Sequence, residues 1–276
     1  MFILSAFADE ISPNPTEQIS VLQSCQIGFI ELRSVYSTNI LSLSGQQLKD
    51  LKQLLDKEGI KISAIGSPIG KIRIDEPFAP HLEKFQHAID VCALFETKNM
   101  RIFSYYPPEG FQGDWHPWRN AVLDRMHTKA YFAAKAGIQL FHENEHRIYG
   151  DSPERIEDLF ANVRYPHFRA AFDAANFVYG GFDPLLGWKA SKPYLAHLHF
   201  KDWRDGAEHG SLIGDGDGQW PLILKELVEE KYHGFAVLEP HLLGGGPTGG
   251  ATGPDKFPQA VQAARSLLAK LGAEVQ

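Results

Sequence analysis

The chain has 276 residues, of which 43% are hydrophobic and 22% charged, the composition of a soluble globular protein long enough for one α/β barrel or two ordinary domains. Its formal net charge of −7 argues against a general polyanion binder, because phosphate contacts need clustered lysine and arginine. Two cysteines, Cys25 and Cys92, make no disulfide framework and read as small buried apolar residues; no apolar run approaches a membrane span, and "MFILSAFADE" reaches Asp9-Glu10 too early for a signal peptide, so a cytoplasmic location is expected.

In chain order, strand-like runs alternate with helix-like ones. "FILSAFA" precedes "PTEQISVLQSCQ", "GFIELRSV" precedes "SGQQLKDLKQLLDKEG", "KISAIGS" precedes "HLEKFQHAIDVCALFE", and "MRIFSYY" precedes "WRNAVLDRMHTKAYFAAKAG". The second half repeats the rhythm: "IQLFHENE" with "SPERIEDLFANV", "RAAFDAAN" with "DPLLGWKASKPY", "AHLHFKD" with "WPLILKELVEEKY", and "GFAVLEP" with "DKFPQAVQAARSLLAKLG". Strands separated by helices pair in parallel through crossovers, and eight such units predict a closed (β/α)₈ TIM barrel rather than an open doubly wound sheet. No G-x-G-x-x-G follows the first strand, which removes the usual dinucleotide signal. No composition break divides residues 1–276, so one domain is expected.

Residues 142–146, "HENEH", fit the H-E-x-x-H pattern of zinc proteases. That chemistry needs a helix, with both histidines one turn apart on one face. Here Ala136-Gly137 ends a helix, "IQLF" is of strand length, and the next helix starts later, with Asp151 or Ser152 as N-cap and Pro153 as first helical residue. The stretch is therefore a strand end. Period two places Phe141, Glu143 and Glu145 on one face and His142 and Asn144 on the other.

Barrel enzymes build their sites at the C-terminal ends of the strands. Four consecutive strands of the second half end in good metal ligands: Glu143 in "LFHENE", Asp173 in "AAFDAAN", His199 in "HLHFKD" and Glu239 in "AVLEPH". If the apolar alternates pack on the helices, these four point inward. Three converging carboxylates repel one another unless a cation compensates, and one divalent metal is the simplest such cation. Oxygen-rich ligation with a single imidazole suits Mn²⁺ first, with Mg²⁺, Co²⁺ and Zn²⁺ as alternatives.

Other polar residues surround this set. Glu31 and Arg33 end the second strand on one face, as an ion pair or a substrate clamp. His197 lies two residues deeper than His199, as a core histidine or a site residue. Lys201 and Asp202 are candidates to orient substrate or to bind each other, and Asn176 to bind a substrate hydroxyl. Trp115, Trp118, Tyr105 and Tyr106 are candidates for an apolar wall. "GDGDGQW" at 214–220 lacks the third acid and distant glutamate of a calcium loop, so it is expected to be a turn. "GGGPTGGATG" at 244–253, after the last strand, reads as a phosphate cradle or a lid.

The ordered series Glu143, Asp173, His199 and Glu239, with "HENEHRIYGDSPER", "FDAAN", "HLHFKD", "GDGDG", "LEPH", "SAIGSPIGKI" and "RIFSYY", resembles the xylose isomerase-like sugar phosphate isomerase/epimerase superfamily, which also contains endonuclease IV. The resemblance covers essentially the whole chain. It implies a divalent-metal isomerase or epimerase of a sugar, sugar phosphate, keto-sugar or polyol, with Glu143 and Glu239 as the proton-transferring pair; Glu31, Asn176, His197 and Lys201, from their places at the strand ends, are the candidates to bind its substrate. A lyase of the inosose or dehydroshikimate dehydratase type is the alternative, and an abasic-site endonuclease a third. The pattern departs from ketose 3-epimerases at Asn176, where those carry histidine, and at their downstream arginine, for which only Arg204 offers a counterpart. A small carbohydrate substrate is expected, with no nucleic acid or membrane partner; barrels of this kind commonly form homo-oligomers.

Overall fold

A computed structural model describes residues 1–246 and 249–276. Its centre is a closed barrel of parallel strands β1 (Phe2–Ala6), β2 (Phe29–Leu32), β3 (Lys61–Ile65), β4 (Asn99–Ile102), β5 (Gln139–Glu143), β6 (Phe168–Asp173), β7 (Leu195–Phe200) and β8 (Gly234–Leu238), each paired with its sequence neighbours and β8 closing on β1. Helices α1 (Pro15–Ser24), α2 (Gly45–Lys57), α3 (Phe78–Leu94), α4 (Arg119–Ala136), α5 (Pro153–Asn162), α6 (Ala174–Tyr179), α7 (Pro184–Ser191) and α8 (Trp220–Glu229) carry the crossovers, and α9 (Phe257–Lys270) follows β8. The (β/α)₈ expectation holds. No helix among the described residues is long and apolar enough to cross a membrane.

Local chemistry explains the boundaries. Ser44 caps α2 in a capping box with Gln47, and Ser152 caps α5 ahead of Pro153, its side chain accepting from the Arg155 N–H. Helix α4 ends at Gly137, whose φ of 69° is the left-handed conformation glycine adopts without a Cβ penalty. Helix α6 is a departure: the run "RAAFDAAN" predicts a strand through "AAN", but Asp173 turns the chain by accepting from the Asn176 N–H at 3.1 Å as an N-cap.

The two faces of each strand do different work. Leu140, Phe172, Leu198, Phe200, Ala236 and Leu238 are buried in the shell between barrel and helices, where Phe172 meets Trp188 and Trp220. The alternates fill the barrel: Phe141 stacks on His197 at 4.6 Å, Phe235 packs on Phe29 at 5.1 Å, and Ser5 and Ser63 share a 2.7 Å hydrogen bond. Above that floor the inward positions become charged. Cys25 and Cys92 are both free and buried.

Candidate metal centre at the mouth of the barrel

Residues 142–146 form no helix: β5 ends at Glu143 and a turn follows at His146-Arg147. His142 packs outward against Phe160 and Phe168 while Glu143 points into the barrel, which removes the protease geometry.

Glu143 and Asp173 are the last residues of β5 and β6, His199 sits directly opposite Asp173 in the register, and Glu239 follows β8, its N–H bonded to Phe200 O at 3.2 Å. Each of the four offers an atom within 4.8 Å of the others, and all four are buried. Each also has a buried atom without a hydrogen-bond partner: Glu143 Oε2, Asp173 Oδ2, His199 Nδ1 and Glu239 Oε2. Buried polar atoms are normally satisfied, so four such orphans on one small centre fit a cation that four oxygen and nitrogen donors would hold.

The surroundings orient these donors. His199 bonds Glu31 Oε2 through Nε2 at 3.2 Å and turns Nδ1 toward Glu143 Oε1 at 3.2 Å and Glu239 Oε2 at 3.7 Å. Glu31 Oε2 also contacts His197 Nε2 at 2.6 Å, so Glu31, expected as an ion-pair partner or a substrate clamp, and His197, expected as a core histidine or a site residue, lie fully buried beneath His199. The reason is depth: His197 lies one inward layer below His199. Asn176 donates to Glu143 Oε1 at 3.2 Å and to the Asn144 carbonyl at 2.9 Å, leaving its own Oδ1 unpartnered. The Asn144 amide donates to Asp173 O at 2.7 Å and accepts from Asp173 N at 3.0 Å, tying β5 to β6.

Each of the three carboxylates also has a cation beside it. Lys201 Nζ stands 2.6 Å from Asp173 Oδ2 and 3.7 Å from Glu239 Oε2, although the ammonium is not directed for a regular hydrogen bond. Arg33 donates to Glu239 Oε1 at 2.6 Å and to Asp9 at 2.8 Å, so its partners are these acids and not Glu31. Arg101 lies 3.1 Å from Glu143 Oε2. Both guanidiniums stack on Phe7, at 4.3 and 4.8 Å from its centroid. Glu145 is buried and paired with Lys71 at 2.8 Å.

Charge in this confined space moves the protonation equilibria. Burial alone would lower His199, but Glu143 and Glu31 beside it hold the imidazolium up to about 10. Burial, reinforced by Glu143 and Glu239 against the Lys201 ammonium, pushes Asp173 up to about 7. Burial would raise Glu143 too, yet His199 and Arg101 bring it down to about 2. These directions describe a centre in which neighbouring cations stand in for positive charge.

Two further groups share its edges. Glu31, His197 and His199 are close enough to hold an ion, but Glu31 Oε2 already engages both imidazoles. Glu10, Glu239 and His241 form another, in which Glu10 Oε2 accepts from His241 N at 2.9 Å and from Thr252 Oγ1 at 2.7 Å while Arg33 occupies the Glu239 side.

Asp202 neither pairs with Lys201 nor reaches the site. Its carboxylate accepts from the N–H groups of Trp203, Gly214, Gly216 and Gly218 at 2.8–3.0 Å, so "GDGDG" wraps this acid as a turn. Glycine is required, because a Cβ on Gly216 would fall 2.3 Å from Asp202 Oδ1. Arg204 binds the Asp215 carbonyl at 2.6 Å in the same loop.

Two cavities open over the strand ends. One, of about 640 Å³, is lined by Asp9, Arg33, Asn39, Lys71 and Arg101 and by glycines 244, 245, 249 and 250. The other, of about 1080 Å³, is lined by Tyr106, Phe111, Trp115, Tyr179 and Arg147 among others. Of the expected aromatic wall, Tyr106 and Trp115 therefore face a cavity, whereas Tyr105 is buried against His81 and Lys129. Within the segment 244–253, Pro247 and Thr248 lie outside the described residues; the flanking glycines line the first cavity.

Residues 20–267 match the model of the family described as "Xylose isomerase-like TIM barrel", and the chain belongs to that family. No curated protein matches it in sequence. Solved structures share the fold at low identity. The "probable 3-DHS dehydratase AsbF" of Bacillus anthracis superposes with a TM-score of 0.73 at 16% identity, over 96% of this chain and 98% of its own. A xylose isomerase-like TIM barrel protein from Mycobacterium smegmatis in complex with magnesium gives 0.73 at 16%, over 98% and 96%. The 3-keto-D-glucoside 4-epimerase of E. coli gives 0.69 at 15%, over 99% of each chain.

Proposed function

We propose that this chain is a divalent-metal-dependent isomerase or epimerase of a sugar, keto-sugar or polyol, working by enediolate proton transfer between Glu143 and Glu239. The observation that carries the reading is the convergence of four buried, unpartnered donor atoms on Glu143, Asp173, His199 and Glu239. The oxygen-rich donor set suits Mn²⁺ or Mg²⁺, and a family member crystallised with magnesium supports it. Bound there, the metal would supply Lewis-acid stabilisation of the negative charge that develops on the substrate oxygens.

The chain's own residues do the rest. One glutamate removes the proton from the carbon beside the carbonyl, and the other returns a proton. Asn176, donating to Glu143, and Arg33, donating to Glu239, fix the two carboxylates. Glu31, backed by His197, holds the His199 ring with Nδ1 facing the centre. The acid-rich mouth and the net charge of −7 support a small carbohydrate as substrate over nucleic acid.

A dehydratase is the second reading, supported by the fold shared with the probable 3-DHS dehydratase AsbF and by the buried Lys201 ammonium, 2.6 Å from Asp173, which would hydrogen-bond a leaving hydroxyl. The experiment is deuterium uptake from D₂O into a panel of ketoses, inososes and keto-sugars, with product analysis by mass. Exchange lost in both Glu143→Gln and Glu239→Gln supports the proposal. Exchange intact in both variants removes it, and a product lighter by water selects the lyase.

A further inference from the structure

We infer that the substrate is longer than one sugar ring: the unit enolised at the barrel mouth carries a second sugar, which lies in the aromatic cleft beside it. The inference rests on the enolising reading above and adds the size of the substrate to it.

The cleft and the metal centre are built by the same three strands. β4 places Arg101 at 3.1 Å from Glu143, and five residues on Tyr106 lines the cleft. β5 ends in Glu143, and His146 and Arg147, which follow it, line the cleft as well. β6 ends in Asp173 and passes into α6, on which Asn176 donates to Glu143 at 3.2 Å while Tyr179, three residues later, faces the cleft. Burial raises the Tyr106 phenol, and Glu145 and Glu143 add to the rise, so its hydroxyl lies within electrostatic reach of the centre. One ion pair links the two cavities: Lys71, which lines the smaller, stands 2.8 Å from Glu145, whose Oε1 accepts from the N–H of His146 at 2.7 Å. A ligand anchored at the centre is therefore led over this pair into the cleft.

The lining suits a pyranose, which presents apolar C–H faces and a rim of hydroxyls. Tyr106, Phe111, Trp115 and Tyr179 supply apolar surface for the faces. They are held in place: Phe111 packs on Trp115 at 4.9 Å, Trp115 on Tyr149 at 5.3 Å, and Tyr179 stands edge-on to Trp203 at 5.4 Å and to His146 at 5.1 Å. Tyr179 is nevertheless 43% exposed. A single exposed aromatic is ordinary, but four around one concavity form the apolar lining of a ligand site. Gln112, Arg147 and Asp151 on the same cleft offer donors and an acceptor to the hydroxyl rim. Its volume of about 1080 Å³ matches ligands larger than one hexose. Binding energy from a part of the substrate that does not react serves to position the part that does, so a substrate cut back to one ring loses rate as well as affinity.

The test measures deuterium uptake by the metal-loaded protein into two pairs of compounds that differ by the second ring: D-fructose with isomaltulose, in which glucose is attached at fructose O6, and 3-keto-D-glucose with 3-ketosucrose. We expect kcat/KM for at least one disaccharide to exceed that of its monosaccharide by at least about tenfold. Phe111→Ala and Tyr179→Ala, each confirmed as folded by circular dichroism, should both bring that ratio down toward one. Monosaccharides exchanged as fast as their disaccharides, or a ratio that both variants leave unchanged, would overturn the inference while leaving the enolising reading in place. Exchange in none of these compounds would remove that reading, and this inference with it.

Discussion

Glu31 Oε2 meets His199 Nε2 at 3.2 Å and thereby turns the other ring nitrogen, Nδ1, toward the Glu143 and Glu239 carboxylates at the barrel mouth. The acid sits on β2 and the imidazole on β7, so the pair is made by the fold and not by sequence proximity. A carboxylate behind a ligating histidine fixes its tautomer and raises its basicity.

Glu31→Gln removes that charge while keeping the shape. The account predicts metal affinity about 10- to 100-fold weaker, with the fold retained by circular dichroism. Calorimetric titration of Mn²⁺ into chelator-treated protein measures it; an affinity equal to wild type would show that Glu31 does not act through His199.

The Asn144 amide closes two hydrogen bonds to the Asp173 backbone, at 2.7 and 3.0 Å, and is 2% exposed. Asn144→Ala leaves a buried N–H and C=O of Asp173 unpaired, for an expected loss of about 1–3 kcal/mol. A Tm lowered by a few degrees in a thermal melt is the predicted result.

His81 supplies one part of the pH dependence. Its Nε2 accepts from the Gly70 N–H at 3.1 Å and so holds the loop that carries Lys71. Burial, with Lys129, Lys84 and Arg125 nearby, pushes its pKa down to about 3. The unfolded value is about 6.5, so below that pH the unfolded chain binds a proton that the folded chain refuses. Stability is fully present above about pH 6.5 and is lost progressively as pH falls toward 3. Urea midpoints between pH 7 and 4 should fall for wild type and fall less steeply for His81→Gln.

How much of this was legible in the sequence follows from what pattern encodes. The barrel and the inward convergence of the four strand-end residues could be read because period two separates Glu143 and His199 from their apolar neighbours, and the strands alternate with helices of clear start and stop. The place of Asp173 at a strand end was legible, but its role as N-cap of α6 was hidden, because six residues give no periodic signal. Arg101 was missed although an arginine between Met100 and Ile102 in an apolar strand is itself a signal of an inward charge. Glu31 and His197 were seen as site residues, yet their depth depends on the barrel's layers, which strand period alone does not give. The role of Asp202 required knowing that distant glycine N–H groups fold back onto it.

The most direct measurement is metal stoichiometry: metal analysis of chelator-treated protein after equilibration with Mn²⁺ or Mg²⁺ and removal of free ion. The account predicts one ion per wild-type chain and none in the folded Asp173→Ala/His199→Ala double variant. A wild-type chain that binds no divalent ion, or a double variant that binds as well as wild type, would contradict it.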